Sequence, residues 1–600
     1  MSLTHDQKSY IKKNIRKSSP GDIAAELNLN QSIILDYLEK RWGKDKLQKF
    51  LKEEPENTVT LNQKSFLRNN WPYFLILFIL ILITFANSLS NAFLSDDIAE
   101  IVQNPYIGQF SYIFTHPFGF IRLILNWAVF HLAGLNPAFF RLINFGFHMA
   151  SVFLLFTIVK MLSNQRVALF AAAAFTIHPA FAEAIVWISG GTYPQYTFFF
   201  LAALLFYIMS PKRKFFYPLS SIFYLLSFMS HPVMPLALFL VFPLFEFCFG
   251  NFKKNWAKTI PFFLIAIAYV FINLGALPER TTTLQSVHYQ EKGIDNPLVL
   301  IPIAISSYLE LLIFPKTLTL YHSELAFGSV QFGIRVVLTL LFLALLPLAF
   351  RKSRAYFFWL SLFWLSLAPT LTPFRFNWIV AERYLYLPSI GILVSLGLAL
   401  DRLSQKRKYR YIIYALFSLA IILLSARTII RNIDWQSEDN LWVATGKTSP
   451  SSPNTHNNLG DVYGRHGDKE GALKEFQTAI ALKPNYADAY HNLANTYREL
   501  NQLDKALENY QKALEYNPNL WQSYQNIAAL YFEAKKYDLA VDNLQKAISI
   551  NPKNLNLRNN LGIVYLTKGD KEKAKEIFNQ VLNADPQNQL ARQGVIEAGK

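Results

Sequence analysis

Apolar residues run almost unbroken for about 20 positions at a time through the middle of the chain, and polar residues are confined to short turns between the runs. As helices, runs of that length cross the ~30 Å hydrocarbon core of a bilayer. They predict crossings near 71–89, 141–162, 167–186, 193–210, 215–230, 233–250, 259–276, 333–350, 355–372, 384–400 and 411–428, about eleven in all. Basic residues cluster in alternate turns: Lys160 and Arg166, Lys212-Arg213-Lys214, Lys253, Lys254 and Lys258, Arg351, Lys352 and Arg354, and Arg402 with Lys406-Arg407-Lys408 and Arg410. The positive-inside rule then puts the N-terminus in the cytoplasm and everything after residue 428 on the outer side. The stretch 297–315 breaks this parity. Like the stretch around 110–134, it is expected to be re-entrant or to lie flat at the outer face.

The flanks read differently. Residues 1–70 hold no long apolar run, and the first begins only at Trp71, past the reach of a secretory leader. Ser19-Pro20-Gly21-Asp22 is set to cap a helix carrying Ile23, Ala24 and Leu27. Asn28-Leu29-Asn30 then turns into a second helix with Ile33, Ile34, Tyr37 and Leu38 on one face, a helix-turn-helix spacing. That second helix offers Gln31, Asp36 and Glu39 where a DNA reader needs base-reading and phosphate-binding groups, so a docking or spacer domain is favoured over nucleic acid.

After residue 431 a period of 34 takes over. Gly460, Ala494, Ala528 and Gly562 share it, as do Tyr463, Tyr497, Tyr531 and Tyr565, then Ala472, Ala506, Ala540 and Ala574, then Pro484, Pro518, Pro552 and Pro586. Small residues at helix crossings, an aromatic between them and a closing proline are the tetratricopeptide pattern. Four repeats over 453–588, after a connector at 431–452 and before a tail at 589–600, stack into a solenoid with a concave face for protein or peptide. Positions that vary between repeats, among them Asn457, His491, Asn492, Tyr524 and Gln525, are expected to line that groove. A repeat that only spaces or dimerises is the alternative. The fold class is therefore all-α: a polytopic membrane bundle over 71–430 followed by an α-solenoid.

Charge sharpens the membrane reading. The net charge is +17, yet residues 1–70 carry 13 basic and 9 acidic groups and residues 432–600 carry 19 and 20, which leaves 26 against 12 in the membrane part. A basic excess spread along apolar runs suits cytosolic turns better than nucleic acid. The single cysteine, Cys248, excludes an internal disulfide framework and a cysteine-based zinc site. No phosphate-cradling glycine loop, H-E-x-x-H or G-x-S-x-G occurs, so nucleotide hydrolysis, zinc proteolysis and nucleophile-elbow chemistry find no support.

Chemistry inside a bilayer is expected at its rare ionisable groups. Asp96 and Asp97 follow the first crossing in a loop. Two adjacent carboxylates cannot both stay ionised if buried together without a cation, so one suits a general base. An N-cap pair opening a short helix at Ile98 is the alternative. Glu183, five residues after His178 at the outer end of the third crossing, binds the acceptor or assists the pair, or else is neutralised by an arginine on a neighbouring helix. Arg383, between Glu382 and Tyr384 with Tyr386 beyond, suits a phosphate headgroup held by charge-assisted bonds. A snorkelling arginine in an aromatic belt is its alternative.

These residues together resemble the GT-C glycosyltransferases. The likeness is closer to the transmembrane and tetratricopeptide-repeat O-mannosyltransferases in four stretches: Asp96-Asp97 to Pro105, His178-Pro179 to Glu183, Ala381 to Gly391, and Arg431 to Trp435 with Glu438. Phe314-Pro315 followed by Tyr321 matches a further stretch more loosely. The resemblance covers about residues 71–588. It implies inverting transfer of mannose or another hexose from a polyprenyl-phosphate donor to serine and threonine hydroxyls of exported proteins, with the repeats binding the acceptor. Asp96, Asp97 and Glu183 would be catalytic, and Arg383, Tyr384, Tyr386, Arg280 and His231 would meet the donor phosphate. His178, Glu382 and Tyr321 would support them, and a divalent metal is left open. Two departures stand out: Ser230-His231-Pro232 where the family carries Ser-Lys-Glu, and Gly190-Gly191-Thr192 where it ends in Gly-Arg. A non-enzymatic envelope scaffold and a ligase for lipid-linked glycans are the competing readings.

Overall fold

The computed structural model describes residues 3–600 except 16–19, 21–22, 25–26, 28, 30, 44, 46, 48–62, 116–118, 212, 275–295 and 372–378. No strand occurs among the described residues. Residues Met1–Pro72 and Tyr73–Lys600 form two compact units. In the first, the helix His5–Asn14 opens with a reciprocal cap between Thr4 and Gln7. A second helix, Gln31–Trp42, buries Ile34 and Leu38 against Ile11, Ile15, Ile23 and Ala24. The expected face is therefore inward, while the first helix was not foreseen. The predicted cap residues Ser19, Gly21 and Asp22, and Asn28 and Asn30, lie outside the described residues.

Among the described residues each expected crossing contains helix, but the helices differ in length. Six helices among the described residues are long and apolar enough to span a membrane: Phe66–Ser88, Pro137–Leu162, Ser189–Met209, Phe252–Ile272, Ser329–Lys352 and Arg407–Asp434. A seventh arises if Gln165–Ile177 and Pro179–Ile185, bent by 56°, are one span. Pro179 causes that bend by forcing His178 into extended backbone (φ −70°, ψ 128°). The other four expected crossings are short: Phe216–Ser230, Met234–Cys248, Arg354–Leu367 and Ser389–Ser404. At 1.5 Å per residue, helices of about 15 residues fall short of the ~30 Å core. By length and composition, six or seven helices among the described residues thus match full spans, and the remaining expected crossings are shorter helices. The stretches expected to be re-entrant or flat also form short apolar helices, Phe120–Ala133 and Pro297–Ile313.

The repeats pair helices as the period predicts: Pro453–Arg465 with Lys469–Leu482, Ala487–Glu499 with Leu503–Tyr516, Trp521–Glu533 with Tyr537–Ile550, and Leu555–Lys568 with Lys571–Ala584. Ala472, Ala506, Ala540 and Ala574 are fully buried. A Cβ on Gly460 or Gly562 would come within 2.7 Å of Phe476 or Phe578, so the small-residue column marks close helix approach. The turn inside each repeat passes through the left-handed region at Gly467, Asn501, Lys535 and Gly569, again 34 apart. The expected tail is instead a helix, Gln589–Ala598, which packs Ala591, Gly594 and Ala598 onto the last repeat. The expected connector likewise contains a helix, Glu438–Thr448.

Candidate active site

The two adjacent acids have opposite environments. Asp97 is fully buried; its carboxylate accepts hydrogen bonds from the backbone N–H of Ser189 (2.8 Å), the Ser189 hydroxyl (2.5 Å) and the N–H of Leu94 (3.2 Å). Burial pushes its carboxyl up to about 6, against those donors and the charge of Arg141. Asp96 is exposed. It follows Ser95, a non-glycine residue at φ +51°, a conformation that costs about 1–3 kcal/mol and must be held by its surroundings.

Arg141 is one such support. Buried near the start of Pro137–Leu162, it donates to the carbonyls of Val186 (2.7 Å), Leu89 (3.2 Å), Asn91 (3.0 Å) and Ala92 (3.1 Å). One turn on, Asn144 donates to the carbonyls of Trp187 (3.1 Å) and Ile188 (3.2 Å). A Cβ on Gly191 would lie 1.8 Å from Asn144 Oδ1, and one on Gly190 would lie 2.3 Å from the Glu183 carbonyl. This crowding explains why Gly190-Gly191 stands at that turn.

Glu183 is fully buried and faces Arg383, accepting from both its backbone N–H (2.8 Å) and its guanidinium. The ion-pair alternative for Glu183 is thus the observed arrangement. The Arg383 guanidinium lies over Trp187 (5.8 Å) and Tyr384 (5.1 Å), and the Trp187 indole donates to the Leu94 carbonyl (3.3 Å) in the acid loop. Tyr321 joins these parts. Its hydroxyl is pushed up to about 12 by burial and then by the Asp96 carboxylate, with Arg383 opposing and Glu183 adding. Asp96, Arg383 and Glu183 are thus all within electrostatic reach of Tyr321, and we call this polar cluster, with Trp187 and Tyr384, the chamber.

Other expected residues fall elsewhere. Tyr386 is a correction: it is fully buried, its hydroxyl is 2.6 Å from His148 Nδ1, and it packs against Phe175 and Phe181, so it cannot meet a phosphate. Glu382 is buried against Arg431 (3.1 Å) and also accepts the N–H of Thr319, which makes it a brace. His178 is buried and its Nε2 lies 2.9 Å from the Leu312 carbonyl, joining the bent helix to Pro297–Ile313. Tyr384 and His231 both pack against Tyr193, at 5.9 Å and 4.9 Å, which brings His231 toward the arginine side of the chamber. Arg280 lies outside the described residues. Among those described, no three His, Cys, Asp or Glu side chains cluster as a bound metal would need.

Of the groove residues, Asn457 is buried and accepts from Asn492 (3.1 Å), and His491 bonds Ser523 (2.7 Å). These contacts tie neighbouring repeats together, a correction to their reading as open groove positions. Tyr524 and Gln525 are half-buried, and Lys546 lies over the Tyr524 ring at 5.8 Å. The connector before the first repeat abuts the chamber. Tyr321 stacks on Trp442 (6.0 Å), Ser449 bonds Thr319 (2.6 Å), and the Ser451 N–H donates to Glu324 (2.8 Å). Sequence reasoning missed Arg141, Asn144, Trp187 and Ser189. A buried arginine beside an apolar run was the available signal.

Tetratricopeptide repeat models match residues 531–594 and 487–520, and a TPR repeat model matches 466–497. Human "Protein O-mannosyl-transferase TMTC3" is 23% identical over 461 residues, which is 66% of this chain and 50% of that protein. "Protein O-mannosyl-transferase F38B6.6" of Caenorhabditis elegans is 23% identical over 69% of this chain and 63% of its own length. This membrane protein resembles the TMTC O-mannosyl-transferases. The Drosophila melanogaster relative "Protein O-mannosyl-transferase Tmtc2" is 38% identical, over 19% of this chain and 12% of that protein. The chain thus spans about half to under two thirds of the relatives it matches at length. The likeness extends well beyond the repeats, because the repeats alone make up under a quarter of the chain while the longer matches cover 66–69% of it.

Proposed function

We propose that the protein transfers a hexose, mannose by the relatives' names, from a polyprenyl-phosphate donor to serine or threonine hydroxyls of exported proteins. Arg383 braced by Glu183, and joined through Trp187 to the loop that carries the exposed Asp96, is the observation that supports this most. In the reaction the bond from the sugar anomeric carbon to the phosphate oxygen breaks, and its electron pair leaves with the lipid phosphate. The acceptor oxygen bonds that carbon from the opposite face, inverting it. Asp96 takes the acceptor's proton, since Asp97 has its oxygens committed to buried donors. Arg383, oriented by Glu183 and shielded by Trp187 and Tyr384, counters the charge growing on the departing phosphate. The repeats, joined to the chamber through the connector helix Glu438–Thr448, present the acceptor and raise its local concentration. With the N-terminus cytoplasmic, chamber and repeats face the exported side of a multi-pass cell membrane protein.

The test is turnover of a polyprenyl-phosphate hexose by the purified full chain with an acceptor peptide. Asp96→Asn is expected to lower turnover by at least ~10² with unchanged melting. Full activity in that variant, or none in the wild type, overturns the assignment.

A further inference from the structure

The loop that carries Asp96 is held by residues more than 300 positions away. Asn91 donates to the Asn432 carbonyl (3.0 Å), the Ala92 N–H to the Gln436 carbonyl (3.0 Å), and the Ser95 N–H to the Glu438 carboxylate (3.1 Å). Only the last bond is made by a side chain to the residue directly before Asp96. That residue, Ser95, is also the one in the left-handed region, so its orientation aims the Asp96 carboxylate. Glu438 opens the helix Glu438–Thr448, whose next residue, Asp439, pairs with Arg465 (2.8 Å) and His466 (2.6 Å) of the first repeat. The same helix stacks Trp442 on Tyr321. One short helix thus grips the acid loop, the Tyr321 segment and the repeat array.

We propose that Glu438 is a positioning residue for Asp96, and that through it the repeats are needed for the chemical step as well as for holding acceptor. This rests on Asp96 being the base. The alternative is that Glu438 merely complements the positive end of its own helix. The two differ in what glutamine can do, because it keeps an acceptor oxygen for the Ser95 N–H but lacks the charge that a helix N-terminus favours.

The test compares Glu438→Ala and Glu438→Gln in the full-length protein, by steady-state transfer and by amide hydrogen exchange across residues 92–97. Misplacing a catalytic group by about 1 Å can cost ~10² in rate, so Glu438→Ala is expected to lower kcat by about 10- to 100-fold with acceptor KM within about twofold. Glu438→Gln is expected to stay within about threefold of wild type, and loop exchange is expected to quicken in the alanine variant alone. Unchanged kcat in Glu438→Ala, a loss confined to KM, equal damage in both variants, or unchanged loop exchange each overturns the proposal. If the wild type transfers no sugar, the transferase reading falls, and the exchange arm alone decides whether Glu438 holds the loop.

Discussion

The chamber and the solenoid solve the same problem of burying polar groups in opposite ways. In the solenoid each role recurs every 34 residues: a buried alanine, a small residue under an aromatic, a left-handed turn. Losing one copy leaves the others intact. In the chamber each polar contact is made once, and the ones that join its parts link residues far apart in sequence. Glu183 and Arg383 are separated by 200 positions, and Ser95 and Glu438 by 343. No second copy can substitute. Damage should therefore be large and specific in the chamber, and small and graded in the repeats.

The sharpest test of this contrast is Glu183→Gln, which leaves Arg383 without its carboxylate in a nearly dry site. Breaking such a pair costs about 3–5 kcal/mol, so a large drop in the detergent melting midpoint is expected, alongside lost turnover. Melting like that of the wild type would show that the chamber is no more brittle than the solenoid. Next comes the acid pair. Asp97→Ala strips an acceptor from three donors and removes the carboxylate whose charge Arg141 feels, and is expected to cost about 2–4 kcal/mol. Asp96→Ala, at an exposed position, should stay within ~0.5 kcal/mol while abolishing transfer. Equal destabilisation by the two would erase the distinction drawn between them.

In the repeats the effects shrink. Burial lowers His491 from 6.5 to about 4, so its folded form binds a proton more weakly than the unfolded chain. Its contribution is complete above pH ~6.5 and is lost as pH falls toward 4, at no more than about 1.4 kcal/mol per pH unit. Thermal melts of His491→Gln should lose less stability than wild type over that window, and parallel pH curves for the two would refute it. The smallest expected change is a gain. Lys535 occupies the left-handed turn where two other repeats have glycine, so Lys535→Gly should stabilise by about 0.5–1 kcal/mol after its own entropy cost. A loss of stability there would mean that the turn is not strained.

The repeats were almost wholly legible because their roles are periodic, and period survives in a linear string. Even so, it misled about the groove: Asn457 and His491 vary between repeats, yet they join neighbouring repeats rather than open to solvent. In the membrane part, Asp96, Asp97, Glu183 and Arg383 announced themselves as costly polar residues, but not which touched which. Tyr386 looked equivalent to Tyr384, and only the fold turns its hydroxyl toward His148. Arg141 read as the start of an apolar helix, although four backbone carbonyls in two distant segments converge on it.

Hydrophobic run length and the 34-residue spacing were settled by the chain itself, because each depends on neighbours within one or two helical turns or one repeat. Which of two adjacent carboxylates meets water was decided only by tertiary packing. Burial at Asp97 is created by Ser189, Leu94 and Arg141 arriving together, and side chains of the same type one peptide bond apart carry no local difference that could anticipate it.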